Sequence, residues 1–219
     1  MAMSCLDDLV SARRGHFRLE SGYHSALWLE LDALFAEPRA IAPFVAALSD
    51  KIRPHGVSVV CGPLLGGAFL AQLVAHALDV EFCFTERVTP ADTNGLYGVR
   101  YVLPPAFHPR VRGKRVAIVD DVMSAGSALR GTFAELNAHG ATTVVAGALL
   151  LLGTRGADFF SERGVAVESV GTDRFDLWPP DECPRCAAGE PVEDKTDSPA
   201  PATPSNSKPL QVAVAHKGL

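Results

Sequence analysis

Short apolar runs alternate with amphipathic segments along most of the chain. The apolar runs predict buried strands, at 57–61, 81–84, 115–120, 142–152 and 165–171. Apolar residues at helical spacing predict helices, at 37–52, 68–78, 127–138 and 155–164. Strands that alternate with helices in this order indicate an α/β fold, a mostly parallel, twisted, doubly wound sheet with helices on both faces.

The remaining segments are shorter or more polar. Residues 4–14 predict a short helix, and Gly22 predicts a turn that precedes a short strand at Trp28–Leu31. The polar, turn-rich residues 85–98 predict a long loop, and residues 99–103 predict a further strand after it.

Length and composition favour one domain with an appendage. The chain has 219 residues, 47% of them hydrophobic, which is enough for a single core. We expect that domain to cover residues 1–190. From residue 191 the composition shifts to Pro, Ser, Thr, Ala and Lys, which predicts a disordered tail over 191–219.

Charge and apolar content restrict the partners and the compartment. The net charge of −5 argues against nucleic acid as a partner. The longest apolar run, 144–152, is too short to span a bilayer, and the first 15 residues lack the apolar core of a signal peptide. We therefore expect a cytoplasmic protein that does not bind membranes and whose five cysteines are free thiols.

The segment RVAIVDDVMSAGSALRG, residues 115–131, carries the clearest chemistry. An apolar strand ends at Asp120 and Asp121, where open α/β sheets bind their ligands. Carboxylates at such an end accept hydrogen bonds from sugar hydroxyls or bind a divalent metal. The small and hydroxyl residues that follow precede a helix, whose N-terminus can bind phosphate. One loop thus suits a phosphorylated ribose. The simpler interpretation is an ordinary strand followed by a capped helix. The segment is not a Walker loop, because no Gly-Lys-Ser/Thr follows.

This segment resembles the phosphoribosyl diphosphate (PRPP) signature of type I phosphoribosyltransferases. Four further segments resemble the bacterial orotate phosphoribosyltransferases, in the same order along the chain: 15–25, 62–78, 84–87 and 182–193. The resemblance spans about the first 190 residues. It implies a small N-terminal hood over about residues 1–35, and usually a homodimer in which the loop of one subunit reaches the other site.

The resemblance also implies the roles of individual residues. Asp120 and Asp121 would be catalytic, binding the ribose hydroxyls and placing Mg²⁺ as its metal ligands. The 5′-phosphate of PRPP would be held by the residues that follow them, Ser124, Ala125, Gly126, Ser127 and Ala128.

Glycines and arginines would complete the site. Gly66 and Gly67 would give pyrophosphate access to the backbone of residues 62–67, and Arg87 would act as a catalytic cation. Arg100 would also contact PRPP. Ser124 and Arg155 would bind orotate, with Arg155 facing its carboxylate. The implied reaction joins N1 of orotate to the ribose of PRPP, with release of pyrophosphate.

The chain departs from this family at the loop expected to face pyrophosphate. Residues 85–101 hold no lysine or histidine, and their only cations are Arg87 and Arg100. Glu20 stands where many relatives have a lysine. Three hypotheses therefore stay open: an orotate phosphoribosyltransferase, a phosphoribosyltransferase for another base, and a PRPP-binding regulatory protein without turnover.

Cys183 and Cys186 have the spacing of a metal-ligand pair. A zinc site needs about four ligands, and no second pair of ligands is recognisable near them in the sequence. His108 and His139 are single residues with no assigned place. We therefore expect two reduced cysteines in a turn with Pro184, rather than a metal site, unless another subunit supplies the missing ligands.

Overall fold

The computed structural model describes residues 11–31, 33–88 and 96–195, together with the backbone of 208–209. Its helices are α1 (Pro38–Ile52), α2 (Gly66–Leu78), α3 (His108–Val111), α4 (Ser127–Ala138), α5 (Arg155–Ser161) and α6 (Pro184–Ala187). Its strands are β1 (Ser11–Arg18), β2 (His24–Glu30), β3 (Val59–Pro63), β4 (Glu81–Val88), β5 (Arg100–Val102), β6 (Arg115–Met123), β7 (Thr142–Leu152), β8 (Ala166–Asp173), β9 (Glu193–Asp194) and β10 (Lys208–Pro209).

The main sheet has six strands in the order β5-β4-β3-β6-β7-β8. Neighbouring strands from β4 to β8 are parallel, and only β5 at the edge runs antiparallel to its neighbour β4. The predicted α/β class is therefore confirmed. Because the strands are parallel, the carboxyl ends of β3, β4, β6 and β7 meet at one edge of the sheet, where α/β proteins bind ligands.

The two faces of the sheet bury separate apolar clusters. Along β6, Ala117 and Val119 pack into one cluster with α1 and α2, whereas Val116 and Ile118 pack into the other with α4. Successive side chains of a strand point to opposite faces, so a continuous apolar run fills both. This burial fixes β6 in the centre of the sheet and places its last residues at the carboxyl edge.

The N-terminal residues form a second sheet instead of the predicted helix. For the described part of 4–14, the helix prediction is wrong: residues 11–14 belong to β1, which pairs antiparallel with β2. Residues 4–10 lie outside the described residues. The turn between β1 and β2 closes through the Leu19 N–H, which donates to the Tyr23 carbonyl at 2.8 Å. Gly22 lies in this turn with φ of 82°, a conformation that favours glycine.

Two other predicted boundaries differ in the structure. The strand predicted at 81–84 extends to Val88, because residues 86–88 pair with β5. The predicted loop at 85–98 is therefore wrong for 85–88, and residues 89–95 lie outside the described residues. The strand predicted within 99–103 is confirmed at Arg100–Val102.

The N-terminal sheet also includes residues beyond position 190. Strand β9 pairs parallel with β1, and β10 pairs antiparallel with the start of β1. Lys195 is buried, with its Nζ 2.8 Å from Glu193 Oε1 and 5.2 Å from the centre of the Trp28 ring. Residues 193–195 thus pair with or pack against the N-terminal sheet, although the sequence assigns them to the tail. The rest of the predicted tail, apart from the backbone of β10, lies outside the described residues.

Among the helices of the described ranges, none has the length and apolar character needed to cross a membrane.

Candidate active site

Two aspartates lie side by side near the carboxyl end of β6. The Asp121 backbone N–H donates to Asp120 Oδ1 at 3.0 Å, and the Val122 N–H donates to Asp121 Oδ1 at 2.7 Å. Shielding from solvent, followed by the neighbouring Asp121 charge, raises the pKa of Asp120 well above its usual range. A bound cation or a set of hydroxyl donors would compensate these two charges.

The turn from β3 to α2 packs directly against the aspartates. A Cβ atom added to Gly66 would lie 2.0 Å from Asp121 Oδ2, and one added to Gly67 would lie 2.8 Å from Asp120 Oδ1. These distances are shorter than any real Cβ contact, so this approach requires glycine at both positions. The structure thus brings together the predicted acidic pair and the predicted glycine loop.

The segment after β6 turns sharply into α4. Gly126 has φ of 75° and precedes the helix, which begins at Ser127 without a capping side chain. Ala125 is fully buried, and the Ser124 carbonyl accepts a hydrogen bond from the Gly156 N–H at 3.0 Å. The turn is therefore anchored on its inner side. Its outer side presents the start of a 12-residue helix, where backbone N–H groups attract anions.

Glu20 lies within this region and contacts three side chains. The Tyr101 hydroxyl lies 3.0 and 3.1 Å from its two carboxylate oxygens, and the Ser127 hydroxyl donates to Oε1 at 3.0 Å. Arg87 Nε lies 3.3 Å from Oε2. Burial, then the Glu20 charge, raises the pKa of Tyr101. The side chains of Tyr101, Ser127 and Arg87 could each donate to a phosphate group. All three contact the Glu20 carboxylate instead.

Tyr101 was not predicted as a site residue. The one sequence feature that could have pointed to Tyr101 is its position beside the predicted site residue Arg100 in a predicted strand. In the pairing of β4 with β5, Tyr101 lies opposite Arg87, and Arg100 lies opposite Val88. Since neighbouring side chains alternate, Arg100 points to the other face of this strand pair from Tyr101, and it is exposed.

A cavity of about 250 Å³ separates the N-terminal sheet from the acidic pair. On one side it is lined by residues of the predicted signature, including Asp121, Ser124 and Ser127. On the other side it is lined by the first turn and β2 of the N-terminal sheet, including Trp28. Phe175, which the sequence did not single out, closes one end. The cavity combines polar groups with an apolar wall, as small-molecule sites commonly do.

Arg155 lies at the start of α5, just beyond the carboxyl end of β7. Its Nη1 is 3.5 Å from the Tyr23 hydroxyl, and its guanidinium lies 4.9 Å from the centre of the Tyr23 ring. Arg155 lines a second cavity that shares Phe175 with the first. The predicted arginine is thus exposed, lines the neighbouring cavity and contacts a residue of the β1–β2 turn.

No second pair of ligands is recognisable near Cys183 and Cys186 in the sequence, but the fold brings one to them. Two histidines of the N-terminal sheet reach them, and the four ligand atoms lie within 4.8 Å of one another. We call this group the Cys–His cluster, and it consists of His16, His24, Cys183 and Cys186. The residues are far apart in sequence, and the fold brings them together. β1 pairs with β2 and β9, and the His24 N–H donates to the Trp178 carbonyl at 2.8 Å.

His108 and His139, which had no assigned place, stack with ring centres 3.8 Å apart. Glu135 lies beside them. Its Oε1 accepts a hydrogen bond from the Leu103 N–H at 2.9 Å and lies 3.1 Å from His139 Nε2. His108 Nε2 lies 3.0 Å from the Leu103 carbonyl oxygen. Hydrogen bonds within the protein therefore occupy the polar atoms that would otherwise face a metal.

A parallel sheet with acidic residues, a glycine turn and a helix N-terminus at one carboxyl edge defines an α/β protein suited to phosphorylated ligands. The family model of the phosphoribosyl transferase domain matches residues 30–169. The chain therefore belongs to the phosphoribosyltransferase family.

Relatives and solved structures agree with this assignment. The chain is 29% identical to the orotate phosphoribosyltransferase of Thermotoga maritima, over 88% of this chain and 96% of that protein. It is 31% identical to the orotate phosphoribosyltransferase of Pelotomaculum thermopropionicum, over 81% and 86% of the two chains. The crystal structure of orotate phosphoribosyltransferase from Aeropyrum pernix is similar with a TM-score of 0.58 at 22% identity, covering 77% of this chain and 94% of that chain.

An adenine phosphoribosyltransferase from Trypanosoma brucei is similar in fold as well, with a TM-score of 0.59 at 16% identity, covering 76% of this chain and 77% of that chain. The fold is therefore shared by enzymes named for different bases, and it does not by itself select the base.

Proposed function

We propose that this chain is an orotate phosphoribosyltransferase of pyrimidine nucleotide synthesis. It transfers the phosphoribosyl group of PRPP to N1 of orotate, which gives orotidine 5′-monophosphate and pyrophosphate. The two relatives of about 30% identity reported above, both named for this activity, support the choice of base. The observation that carries the proposal is the cleft in which Asp121, Ser124 and Ser127 face the N-terminal sheet.

The sugar and its phosphate are bound by the carboxyl end of β6 and the start of α4. Asp120 and Asp121 accept hydrogen bonds from the ribose hydroxyls, because ionised carboxylates are pure acceptors. The 5′-phosphate lies at the N-terminus of α4, where the Ser127 hydroxyl and backbone N–H groups donate to it. The Ser127 hydroxyl donates to Glu20, so the phosphate has to displace the Glu20 carboxylate.

Mg²⁺ fits the acidic pair. Two adjacent carboxylates offer hard oxygen ligands for a divalent cation. Burial first, and then the Asp121 charge, raise the pKa of Asp120, and a bound cation would offset both by favouring the ionised carboxylate. When bound, Mg²⁺ supplies charge neutralisation for the pyrophosphate that leaves. Gly66 and Gly67 keep the space beside Asp120 and Asp121 free of side chains, which lets a phosphate group approach the backbone.

In the reaction, the C1–N1 bond forms while the bond from C1 to the pyrophosphate oxygen breaks. The leaving oxygen takes the electron pair, and the N1 proton of the base passes to solvent. Arg87 becomes available to the leaving group once Glu20 releases it. The predicted contact of Arg100 with PRPP is not supported, because Arg100 is exposed on the other face of the β4–β5 pair. Arg155 and Ser124 orient orotate, with the guanidinium paired to its carboxylate.

We also propose a cytoplasmic homodimer. Leu65 and Phe69, at the start of α2, are 66% and 45% exposed, which leaves apolar surface beside the site for a second copy. Sedimentation equilibrium of the full chain tests this directly. A mass of one chain at micromolar concentrations would contradict the dimer.

The function is tested by turnover of a panel of purine and pyrimidine bases with PRPP and Mg²⁺. Orotate is expected to be used far faster than any other base. Faster use of another base would leave the family assignment intact and overturn the choice of orotate. PRPP binding in a calorimeter without turnover of any base would favour the regulatory protein instead.

A further inference from the structure

The Cys–His cluster lies outside the candidate active site and has no part in the proposed reaction. Its four ligand atoms converge on one point from three segments of the chain. His16 belongs to β1, and His24 begins β2. Cys183 directly precedes the single turn of α6, and Cys186 lies within it. His16, His24 and Cys183 are buried, and Cys186 is exposed.

Distances between the ligand atoms match the edges of a metal-centred tetrahedron. His16 Nε2 lies 3.0 Å from His24 Nδ1 and 3.4 Å from Cys183 Sγ. Cys186 Sγ lies 3.7 Å from His16 Nε2 and 3.3 Å from His24 Nδ1. Tetrahedral zinc with ordinary bond lengths gives edges of about 3.3 Å between two nitrogens and about 3.6 Å between nitrogen and sulfur. We propose that the Cys–His cluster binds one Zn²⁺ ion as a structural site.

The surroundings of His16 prepare it as a ligand. Its Nδ1 lies 3.0 Å from the Glu190 carbonyl oxygen, which can only accept a hydrogen bond. The Nδ1 atom therefore carries the proton, and the lone pair of Nε2 points into the cluster. A carbonyl that fixes the tautomer and the ring plane is the usual second partner of a metal-binding histidine.

The cysteine turn is also formed in advance. The Ala187 N–H donates to the Cys183 carbonyl at 3.1 Å, and the Gly189 N–H donates to the Cys186 carbonyl at 2.9 Å. These bonds hold both thiols on the side of the turn that faces the two histidines. Two thiolates and two imidazoles form a ligand set that selects zinc among the common divalent ions.

The site would join the two ends of the domain beside the active-site cleft. His24 directly follows Tyr23, which contacts Arg155, and the β1–β2 turn also carries Glu20. Zinc would therefore fix the N-terminal sheet, the cysteine turn and β9 as one unit. Because the unfolded chain does not preform such a site, the binding free energy of the metal adds to the stability of the fold.

The test is metal analysis of the full chain, purified without chelators and then desalted. We expect about one zinc ion per chain, the stoichiometry of a single four-ligand site. The variants Cys183→Ser, Cys186→Ser and His16→Gln should lose it. Two control variants should retain it: Cys61→Ala, which alters a buried cysteine of β3, and His139→Gln, which alters the histidine stack away from the cluster.

A second measurement does not depend on the variants folding. The wild-type chain, stripped of zinc and loaded with Co²⁺, should show thiolate-to-cobalt charge-transfer bands and the visible bands of tetrahedral cobalt. Removal of zinc by a strong chelator should also lower the melting temperature, and added Zn²⁺ should restore it.

Three results would overturn the proposal. The first is a chain that stays free of zinc and cobalt after loading with its thiols reduced. The second is unchanged zinc content in well-folded cysteine variants, which would place the ion elsewhere. The third is a Cys183–Cys186 disulfide in protein freshly isolated from the cytoplasm, which would make the pair redox-active. None of these results depends on orotate turnover, so this proposal and the proposed function can fail separately.

Discussion

The hydroxyl of Ser127 donates a hydrogen bond to the carboxylate of Glu20 at 3.0 Å. This contact joins the first turn of α4, where a phosphate is expected, to the turn of the N-terminal sheet. A carboxylate of the protein thus takes a donor that the substrate needs. Glu20 therefore competes with the phosphate for this donor.

We predict that Glu20→Gln binds PRPP more tightly than the wild type. Removing the negative charge beside Ser127 and Arg87 should lower the Kd by about 5- to 30-fold, as expected for a like charge a few ångströms away in a partly shielded site. Calorimetric titration with PRPP measures this directly. Glu162→Gln, a change at an exposed carboxylate beside Arg163, is the control and should leave the Kd unchanged. Equal or weaker binding by Glu20→Gln would show that Glu20 does not compete with the substrate.

Asp120→Asn should make the protein more stable at neutral pH while it removes activity. The asparagine keeps the oxygen that accepts the Asp121 N–H and removes the charge that solvent shielding and Asp121 disfavour. A carboxyl group whose pKa is raised on folding makes its full contribution to the stability of the fold at pH values below its unfolded pKa of about 3.9. That contribution is lost as the pH rises through the folded pKa.

The gain in melting temperature from Asp120→Asn should therefore be largest above neutral pH and shrink as the pH falls toward 4, in melts recorded without Mg²⁺. Asp50→Asn, at an exposed carboxylate on α1, provides the comparison and should show no such trend. A melting temperature that falls at neutral pH would contradict the electrostatic account of the pair.

Gly66→Ala should impair PRPP use with little change in the fold outside the site. Its methyl group would lie 2.0 Å from Asp121 Oδ2, so either the carboxylate or the glycine turn has to move. Displacement of about 1 Å in a site of this kind costs on the order of 100-fold in kcat/KM. Gly164→Ala makes the same chemical change at a position with nothing within 4 Å and a φ of 70°. Its backbone strain should lower the melting temperature but leave kcat/KM at the wild-type value, because Gly164 lies away from the aspartates. Wild-type kinetics in Gly66→Ala would show that the close packing against Asp121 has no functional role.

Arg155→Ala should weaken the binding of orotate more than the binding of PRPP. Loss of a charged hydrogen-bonding partner raises the KM for orotate by about 10- to 100-fold. The KM of Arg155→Lys for orotate should lie between those of the wild type and Arg155→Ala, since lysine keeps the charge but not the paired donors of the guanidinium. Steady-state kinetics with each substrate varied in turn separate these effects, and Arg110→Ala, which alters an exposed ion pair with Glu81, serves as the control. An equal rise in both KM values would argue against a contact between Arg155 and the base.

Local patterns predicted the central part of the fold well. The helix at 127–138 and the strand at 142–152 have the predicted limits, since continuous apolar periodicity and an adjacent glycine define both. The helix predicted at 4–14 is wrong where it is described. β1 is a strand because it pairs with β2, β9 and β10, and such distant pairing leaves little local signal.

The candidate site also has one part that local sequence predicts and another that depends on residues far apart in the chain. Residues 120–128 form one continuous motif, and the sequence alone placed the acids and the helix N-terminus together. The partners of Glu20 could not be predicted, because Tyr101 and Ser127 reach it only through the folded chain. The Cys–His cluster was missed for the same reason: its histidines and cysteines come from opposite ends of the domain.

The most direct test of the central claim is the loss of orotate absorbance with PRPP and Mg²⁺, compared between the wild type and an Asp120→Asn, Asp121→Asn double variant. The Asp50→Asn chain serves as the matched control. The wild type and the control should convert orotate to orotidine 5′-monophosphate, and the double variant should be slower by at least about 100-fold, the size of a lost electrostatic contribution in an active site. Failure of the pure wild-type chain to consume orotate, or equal rates in the double variant, would contradict the account.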